Sequence, residues 1–455
     1  MSTAKYELDM SVGSVFKNVI RFAFPLMITN LLQVLYNAAD VIVVGRWAGD
    51  TALAAVGSTG ALYNLLVNVF SGLSIGASIA VSKRYGARDN AGIYRSVHTA
   101  MLLSIFVGLF SGIFGIIFVK PILVMMDTPA GEVLDGAMLY MRILFVGVPA
   151  SLIYNFGAAI LRAVGDTKRP LYILSATGLV NVVLNLILVI GFDMDVAGVA
   201  IATTTANYLS MFAVLGALIR SDGAYKLFLN KLHIYKEELK EIIRIGLPAG
   251  IQGSVFSLSN VVVQSAINSF GTATMVGNAA ASNIEGFSYT AMNSFYQATL
   301  TSVSQNYGAK NKKRVYQSVW ISLICAGTLG LVLGILINMF AEPLLGIYIT
   351  DSPEAIMLGK ERLMVICAIY FLCGMMEVLT GALRGLGYST ITAVNSLVGA
   401  CGFRMIWVFW VLPAYRSIQT LYLCYPLSWS MVILLHVVCL LFVKKRAFQR
   451  MYEQL

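Results

Sequence analysis

The sequence is short of charged residues and of the residues that bind metals, and each shortage excludes a class of protein. Charged residues make up 12% of the chain, whereas about 25% is usual in soluble domains. The three histidines and six cysteines are scattered and lack the paired spacing of disulfides and metal sites. The chain has no Walker loop, HExxH motif or nucleophile elbow. We therefore expect a protein that is not an enzyme and that carries no cofactor.

Hydrophobic residues make up 58% of the chain, and the mean hydropathy is +0.78. Mostly apolar segments of roughly 20 or more residues recur along the sequence, and this is the length that a helix needs to cross a bilayer. We count twelve such segments between residues 19 and 443. The pattern predicts an all-α membrane protein with twelve transmembrane helices. No cleavage site follows the first segment, so we expect no signal peptide.

Short motifs of the first half return in the second half at a constant offset of 222 residues. They are the Tyr-Gly-Ala triplet at 85–87 and 307–309 and the Leu-Arg pair at 161–162 and 383–384. Pro25 returns as Pro248 and Asn37 as Asn260, one residue out of step. The same spacing at both ends of a half indicates a duplicated membrane bundle.

Each half contains six predicted segments, so both halves enter the membrane in the same orientation. We therefore predict two parallel six-helix repeats. These are an N-lobe at 15–220 (helices 1–6) and a C-lobe at 245–443 (helices 7–12), joined by a cytoplasmic linker at 221–244. Within the linker, residues 231–240 are predicted to form a basic amphipathic helix on the membrane surface.

The net charge of +10 is unevenly distributed along the chain. If the twelve segments alternate from an internal N-terminus, 25 of the 32 Lys and Arg residues lie on the cytoplasmic side. This asymmetry follows the positive-inside rule. We therefore predict a multi-pass protein of the plasma membrane with both termini in the cytoplasm. Its partner would be the lipid bilayer and not nucleic acid, and we expect a monomer.

A polar stripe on the first helix ends at a carboxylate at membrane depth. Asn30, Gln33, Asn37 and Asp40 follow a 3-4-3 spacing, which places them on one helical face. An ionisable group at this depth is costly, so it is a functional candidate by default. The alternative is a hydrogen bond that only joins two helices.

The fifth and sixth segments add amides and a hydroxyl to the candidate groups. Asn181 and Asn185 share one helical face, and Thr203 lies among small residues. Carboxylate, amide and hydroxyl oxygens suit a small cation, and the carboxylate alternatively takes a proton. We predict Asp40, Asn181, Asn185 and Thr203 as the ion-coupling residues, with no metal beyond Na⁺ at Asp40. Nothing in the sequence alone brings these helices together.

The second half has two acids at membrane depth, Glu285 and Glu377. Glu377 lies seven residues before Arg384, so a structural ion pair is one interpretation, and Arg404 could neutralise either acid. The other interpretation is that both acids contact a cationic substrate. The predicted substrate contacts are Gln33, Tyr36, Asn37, Asn155, Glu285 and Glu377.

These motifs resemble those of the multidrug and toxic compound extrusion (MATE) transporters. The resemblance covers residues 15–443 and includes Leu-Arg-Ala-Val-Gly-Asp-Thr-Lys-Arg-Pro at 161–170 and Leu-Arg-Gly at 383–385. It implies two six-helix lobes around a central cleft and alternating access. It also implies efflux of small, amphipathic cationic drugs in exchange for protons or sodium ions.

The resemblance assigns roles to individual residues. Asp40 matches the family's first-helix acid, beside Gln33 and Tyr36, while Asn181 matches its fifth-helix amide and Thr203 its sixth-helix hydroxyl.

Three positions depart from the family pattern. Asn185, Phe256 and Cys373 stand where relatives often carry acids. One carboxylate in the N-lobe site favours protons over sodium. Two alternatives stay open: a lipid-linked glycan flippase, which would need several cations in its cavity, and a membrane-embedded transferase.

Overall fold

The computed structural model describes residues 6–126, 128, 130–350 and 352–453, and all regular structure in these ranges is helical. Helices satisfy their own backbone hydrogen bonds, which a segment surrounded by lipid must do. The first half contains α1 (Val15–Val43), α2 (Gly49–Gly86), α3 (Asn90–Met125), α4 (Glu132–Ala163), α5 (Lys168–Asn185) and α6 (Asp195–Ile219).

The second half repeats this order with more interruptions. Its helices are α7 (Lys236–Asn268), α8 (Thr272–Gly308), α9 (Lys312–Met339), α10 (Ala341–Gly346), α11 (Pro353–Cys367), α12 (Phe371–Gly385), α13 (Ser389–Ser396), α14 (Phe403–Ile406), α15 (Leu412–Ala414) and α16 (Ile418–Glu453). Four π-helical segments continue the long helices, at Val44–Ala48, Leu186–Gly191, Leu397–Gly402 and Trp407–Val411.

Nine helices in the described ranges are long and apolar enough to cross a membrane, and the pair α11 and α12, bent by 46°, makes a tenth span. The remaining long helices, α2 and α8, contain 38 and 37 residues. Both are rich in Gly, Ala, Ser, Thr and Asn, which lowers their hydropathy but suits close helix packing.

The chain folds into two compact units. Unit 1 contains the described residues up to Leu8 and Ile28–Gly250, and unit 2 contains Asp9–Met27 and the described residues from Ile251 onwards. The beginning of α1 therefore belongs to unit 2, and the beginning of α7 belongs to unit 1. The predicted lobes at 15–220 and 245–443 follow chain order instead, and they stay a prediction.

Within unit 1, α2 packs directly against the beginning of α7. A Cβ atom on Gly72 would collide with the backbone of Gly250, and one on Gly76 would collide with the carbonyl of Ile242. Only glycine allows this approach, as is usual where membrane helices touch through small residues.

The connection between α6 and α7 differs from its prediction. The predicted helix at 231–240 is wrong in its first part, because α7 begins at Lys236 and only a 3₁₀ turn, Leu229–Lys231, precedes it. The backbone is held by α3 instead: the Tyr235 amide donates to Thr99 Oγ1 at 3.1 Å. Glu238, near the start of α7, forms an ion pair with Arg95 of α3, with 2.7 Å between Nε and Oε1.

Residues 6–13 are also fixed by specific contacts. In unit 1, the Glu7 carboxylate accepts hydrogen bonds from the hydroxyls of Tyr85 and Tyr225 at 2.9 and 3.1 Å. In unit 2, the Met10 amide donates to Gln305 Oε1 at 2.8 Å, and its carbonyl accepts from Arg314 Nη2 at 2.8 Å.

Candidate functional site

Helix α1 carries the predicted polar stripe and presents Asp40 near its end. Gln33 and Asn37 are exposed, whereas Asp40 is half-buried. The Tyr36 hydroxyl donates to the Ser175 carbonyl of α5 at 3.3 Å. Its ring also lies so close to Gly178 that a side chain there would collide with it. These contacts hold α1 against α5 and fix the direction of the stripe.

The Asp40 carboxylate is bound by groups from α5 and α6. Asn185 Nδ2 donates to Asp40 Oδ1, and the Thr203 hydroxyl donates to Asp40 Oδ2 at 3.4 Å. Asn181 Nδ2 donates to Thr203 Oγ1 at 3.3 Å. The structure thus brings together all four residues that the sequence analysis grouped, from three separate helices. Their role in ion coupling stays a prediction.

One acceptor in this cluster has no hydrogen-bond partner. Asn185 is fully buried, and its Oδ1 atom is unsatisfied in the described part of the chain. A buried polar atom without a partner is costly, so this oxygen is a candidate ligand for a bound water or ion. This oxygen, the Asp40 carboxylate and Thr203 Oγ1 are the hard ligands that a small cation such as Na⁺ prefers.

Two π-helical segments border the cluster, and the hydropathy pattern of the sequence predicts neither. Val44–Ala48 begins four residues after Asp40, and Leu186–Gly191 follows Asn185 directly. Such segments are rare and often occur at functional sites. A signal was present, because a π segment holds one extra residue. The offset between halves falls from 223 at Asn37 to 222 at Tyr85, and Val44–Ala48 lies between them.

In unit 2, Glu285 is fully engaged by an arginine. Arg362 Nε and Nη2 each donate to its carboxylate at 2.8 Å, and Arg362 Nη1 donates to Asn278 Oδ1 at 2.7 Å. The side chains of Glu285 and Arg362 are buried. The sequence suggests Arg404 as a neutralising group, but in the structure Arg362 neutralises Glu285.

Glu377 has a different set of neighbours. The Tyr289 hydroxyl hydrogen-bonds to its carboxylate. Arg384, which the sequence suggested as an ion-pair partner, acts on this carboxylate through its charge. Its hydrogen bonds go to Tyr296 Oη at 2.6 Å and to Gln252 Oε1 at 2.7 Å.

The remaining predicted positions lie apart from these clusters. Asn155 is half-buried on α4. Cys373 and Phe256, which stand where relatives carry acids, belong to the hydrophobic core of unit 2. Substrate contact by Gln33, Tyr36, Asn37, Asn155, Glu285 and Glu377 stays a prediction.

Arg404 is a buried cation whose hydrogen bonds, within the described ranges, go to uncharged groups. Its Nη1 donates to Asn260 Oδ1 of α7 and its Nε to Ser428 Oγ of α16, both at 3.1 Å. Its guanidinium also lies 4.5 Å from the ring centroid of Tyr425.

The chain matches known proteins along almost its whole length. The MatE family model matches twice, at residues 25–187 and 248–410. "Probable multidrug resistance protein YoeA" of Bacillus subtilis is 28% identical, over 93% of each chain. "Crystal structure of MATE in complex with MaL6" superposes with a TM-score of 0.88 at 23% identity, covering 99% of this chain and 100% of the other. "Outward-facing conformation of a multidrug resistance MATE family transporter of the MOP superfamily" gives 0.86 at 23% identity, covering 100% of both.

The two matches also align the sites of the two halves. Both ends of the second match lie 223 residues after those of the first. The Leu-Arg motif is offset by 222, and the π segment Leu397–Gly402 lies between it and Arg404. Assigning the extra residue to this π segment pairs Asn181 with Arg404, and the offset of 223 at Asn37 pairs Asp40 with Val263.

The predicted architecture is thereby confirmed, because the duplicated motifs, the helix order and the solved structures agree. The chain belongs to the MatE (multidrug and toxic compound extrusion) family of transporters and has its fold of twelve transmembrane helices in two six-helix repeats.

Proposed function

We propose that this protein is a secondary antiporter that exports amphipathic organic cations in exchange for protons or sodium ions. The observation that carries the proposal is the setting of Asp40. In the described part of the chain its hydrogen-bond partners, Asn185 and Thr203, are both neutral. A carboxylate at membrane depth without a countercharge gains most from binding a proton or a cation.

Ion binding at Asp40 would change how three helices are held together. The ionised carboxylate accepts charge-assisted hydrogen bonds from α5 and α6, which are stronger than bonds between neutral groups. Neutralising Asp40 weakens these bonds and frees α1 to pack differently. An ion that binds one arrangement more tightly than the other shifts the population between them, as alternating access requires.

The substrate class rests on composition and on family membership. The chain contains 22 Tyr, 23 Phe and 20 Met, residues that suit an adaptable site for aromatic cations. The relative YoeA is named a probable multidrug resistance protein. The family match favours this proposal over a glycan flippase or a membrane-embedded transferase. We place the protein in a bacterial plasma membrane with both termini in the cytoplasm.

The test uses proteoliposomes and ethidium as the probe. A proton gradient and a sodium gradient are imposed one at a time, and ethidium movement is followed by fluorescence. We expect one gradient to drive uphill transport in the wild type and neither to do so in Asp40→Asn. Asp222→Asn, which changes an exposed acid, is the matched control and should transport normally. Uphill transport by Asp40→Asn would contradict the proposal.

A further inference from the structure

The second half carries a guanidinium where the first half carries its polar cluster. Arg404 stands at the position of Asn181, and its partner Asn260 stands at that of Asn37. The position of Asp40 is taken by Val263, which is fully buried. The second half thus has a valine in place of the carboxylate, and a positive charge is present.

The surroundings of Arg404 are those of a site that accepts a cation. Two side-chain oxygens, from Asn260 and Ser428, accept its hydrogen bonds, and the ring of Tyr425 lies against its guanidinium at 4.5 Å. Oxygen acceptors and an aromatic face are the groups that bind organic cations. Arg404 is only 3% exposed, so the cation has been withdrawn from solvent.

The positive charge of Arg404 is not cancelled by Glu285. That carboxylate is bound through both of its oxygens by Arg362, whose guanidinium lies 5.2 Å from the same Tyr425 ring that contacts Arg404. The Tyr425 ring therefore contacts two guanidinium groups, and Glu285 is already bound by one of them, Arg362. In a medium of low dielectric constant, the charge of Arg404, which has no hydrogen-bonded carboxylate among the described residues, repels a further cation.

We propose that Arg404 is a tethered cation that permanently fills the second-half counterpart of the Asp40 site, so that a coupling ion binds only in the first half. The inference rests on the proposed function, because it concerns the ion that drives transport. It makes Arg404 a residue that sets the number of coupling ions and not a drug contact.

The first test replaces the tether with a free cation. We expect Arg404→Ala to lower the melting temperature of the purified protein, and methylguanidinium chloride to restore part of the loss with a saturable dose response, since a ligand stabilises the state that binds it. Methylurea has the same shape without the charge and should restore nothing. Arg416→Ala, an exposed arginine of unit 2, should respond to neither compound. Equal rescue by both compounds, or rescue by neither, would overturn the proposal.

A second pair of variants covers the case in which Arg404→Ala does not fold. Arg404→Lys keeps a cation, whereas Arg404→Met keeps length without charge. We expect the lysine variant to melt at the higher temperature and to be extracted in better yield. If the methionine variant is equally stable, the position needs bulk and not charge, and the proposal fails.

The last test counts ion sites and separates this inference from the proposed function. Ion-dependent stabilisation is measured in the wild type, in Asp40→Asn and in Asp40→Asn/Glu377→Gln. We expect the response to disappear with Asp40 alone. A response that survives in Asp40→Asn and is lost only with Glu377 places an ion site in the second half and overturns the inference. Gradient-driven ethidium export by Asp40→Asn would contradict the proposed function, whether or not methylguanidinium stabilises Arg404→Ala.

Discussion

Two acids at membrane depth, Asp40 in the first half and Glu285 in the second, are held in opposite ways. Asp40 accepts hydrogen bonds from an amide and a hydroxyl, and a neighbouring amide oxygen lacks a partner among the described residues. Glu285 accepts hydrogen bonds through both carboxylate oxygens from the guanidinium of Arg362. A carboxylate with a fixed countercharge has little to gain from a proton or a cation, whereas one among neutral dipoles has much to gain. The partner, more than burial, makes Asp40 the better candidate for ion exchange and Glu285 the member of a structural ion pair.

The largest expected effect is on transport in Asp40→Asn. The amide keeps the shape of the side chain but has no negative charge to neutralise, so it takes up no proton and binds a cation much more weakly, and gradient-driven export should fall to the background of empty liposomes. The melting temperature should fall far less than in Glu285→Gln, because the partners of Asp40 are neutral and the substitution leaves no buried charge without a countercharge. Transport and melting are measured on the same preparation. A normal rate would show that Asp40 only joins helices.

The largest expected effect on stability is in Glu285→Gln. Removing one partner of a buried ion pair leaves Arg362 uncompensated and costs about 3–5 kcal/mol. Thermal melting should show this loss, and Glu285→Gln/Arg362→Met should recover much of it, because no buried charge of the pair is then left alone. Unchanged melting with a selective loss of ethidium binding would instead make Glu285 a substrate contact.

A smaller effect is expected from Asn185→Asp. A second carboxylate beside Asp40 adds negative charge and a hard oxygen, so the half-saturating sodium concentration should fall by about tenfold, which corresponds to about 1.4 kcal/mol. The measurement is sodium-dependent stabilisation at fixed pH. A shift in the proton dependence with no sodium response would show that the site handles protons only.

The smallest effect is expected from Glu342→Gln. Glu342 is exposed and paired with Lys360, whose hydrogen bond and charge hold the pKa of this carboxyl below its usual value. Because the pKa is lower in the folded state, ionised Glu342 stabilises the protein at pH values above its unfolded-state pKa. This stabilisation is lost as the pH falls through the folded-state pKa. Solvent screens this exposed pair. The melting temperature at pH 7 should therefore be unchanged within error. This variant serves as the exposed control for the loss of the buried ion pair in Glu285→Gln.

The first-half cluster could be predicted from sequence, because regular helical spacing reveals which residues share a face. Asp40, Asn181 and Asn185 lie on such faces, and the family resemblance supplied the pairing of helices that spacing cannot give. The role of Arg362 could not be read in this way. It lies near the start of a predicted segment, where long basic side chains usually reach towards water, and only the packing of α11 against α8 shows that it turns towards Glu285.

At the connection 221–244, the sequence predicted more helix than the structure contains. Its charge pattern at residues 231–240 suits an amphipathic helix, but the backbone there finds partners on α3, as in the bond from Tyr235 to Thr99. Tertiary hydrogen bonds outweighed a weak local preference. The π segments were missed for a different reason, since they have no compositional signature, and only a segment present in one half alone changes the register between the halves.

That change of register carries a historical consequence. Any one-residue difference between the copies of a duplicated unit must have arisen after the duplication. An extra residue in an ordinary α-helix would rotate everything beyond it by about 100° and turn buried faces outwards. Widening one turn absorbs the residue locally, as at Val44–Ala48 and Leu397–Gly402. The two halves could therefore diverge by single-codon insertions or deletions while each kept its packing, and one of these differences lies beside the acid at Asp40, whose counterpart in the other half is Val263.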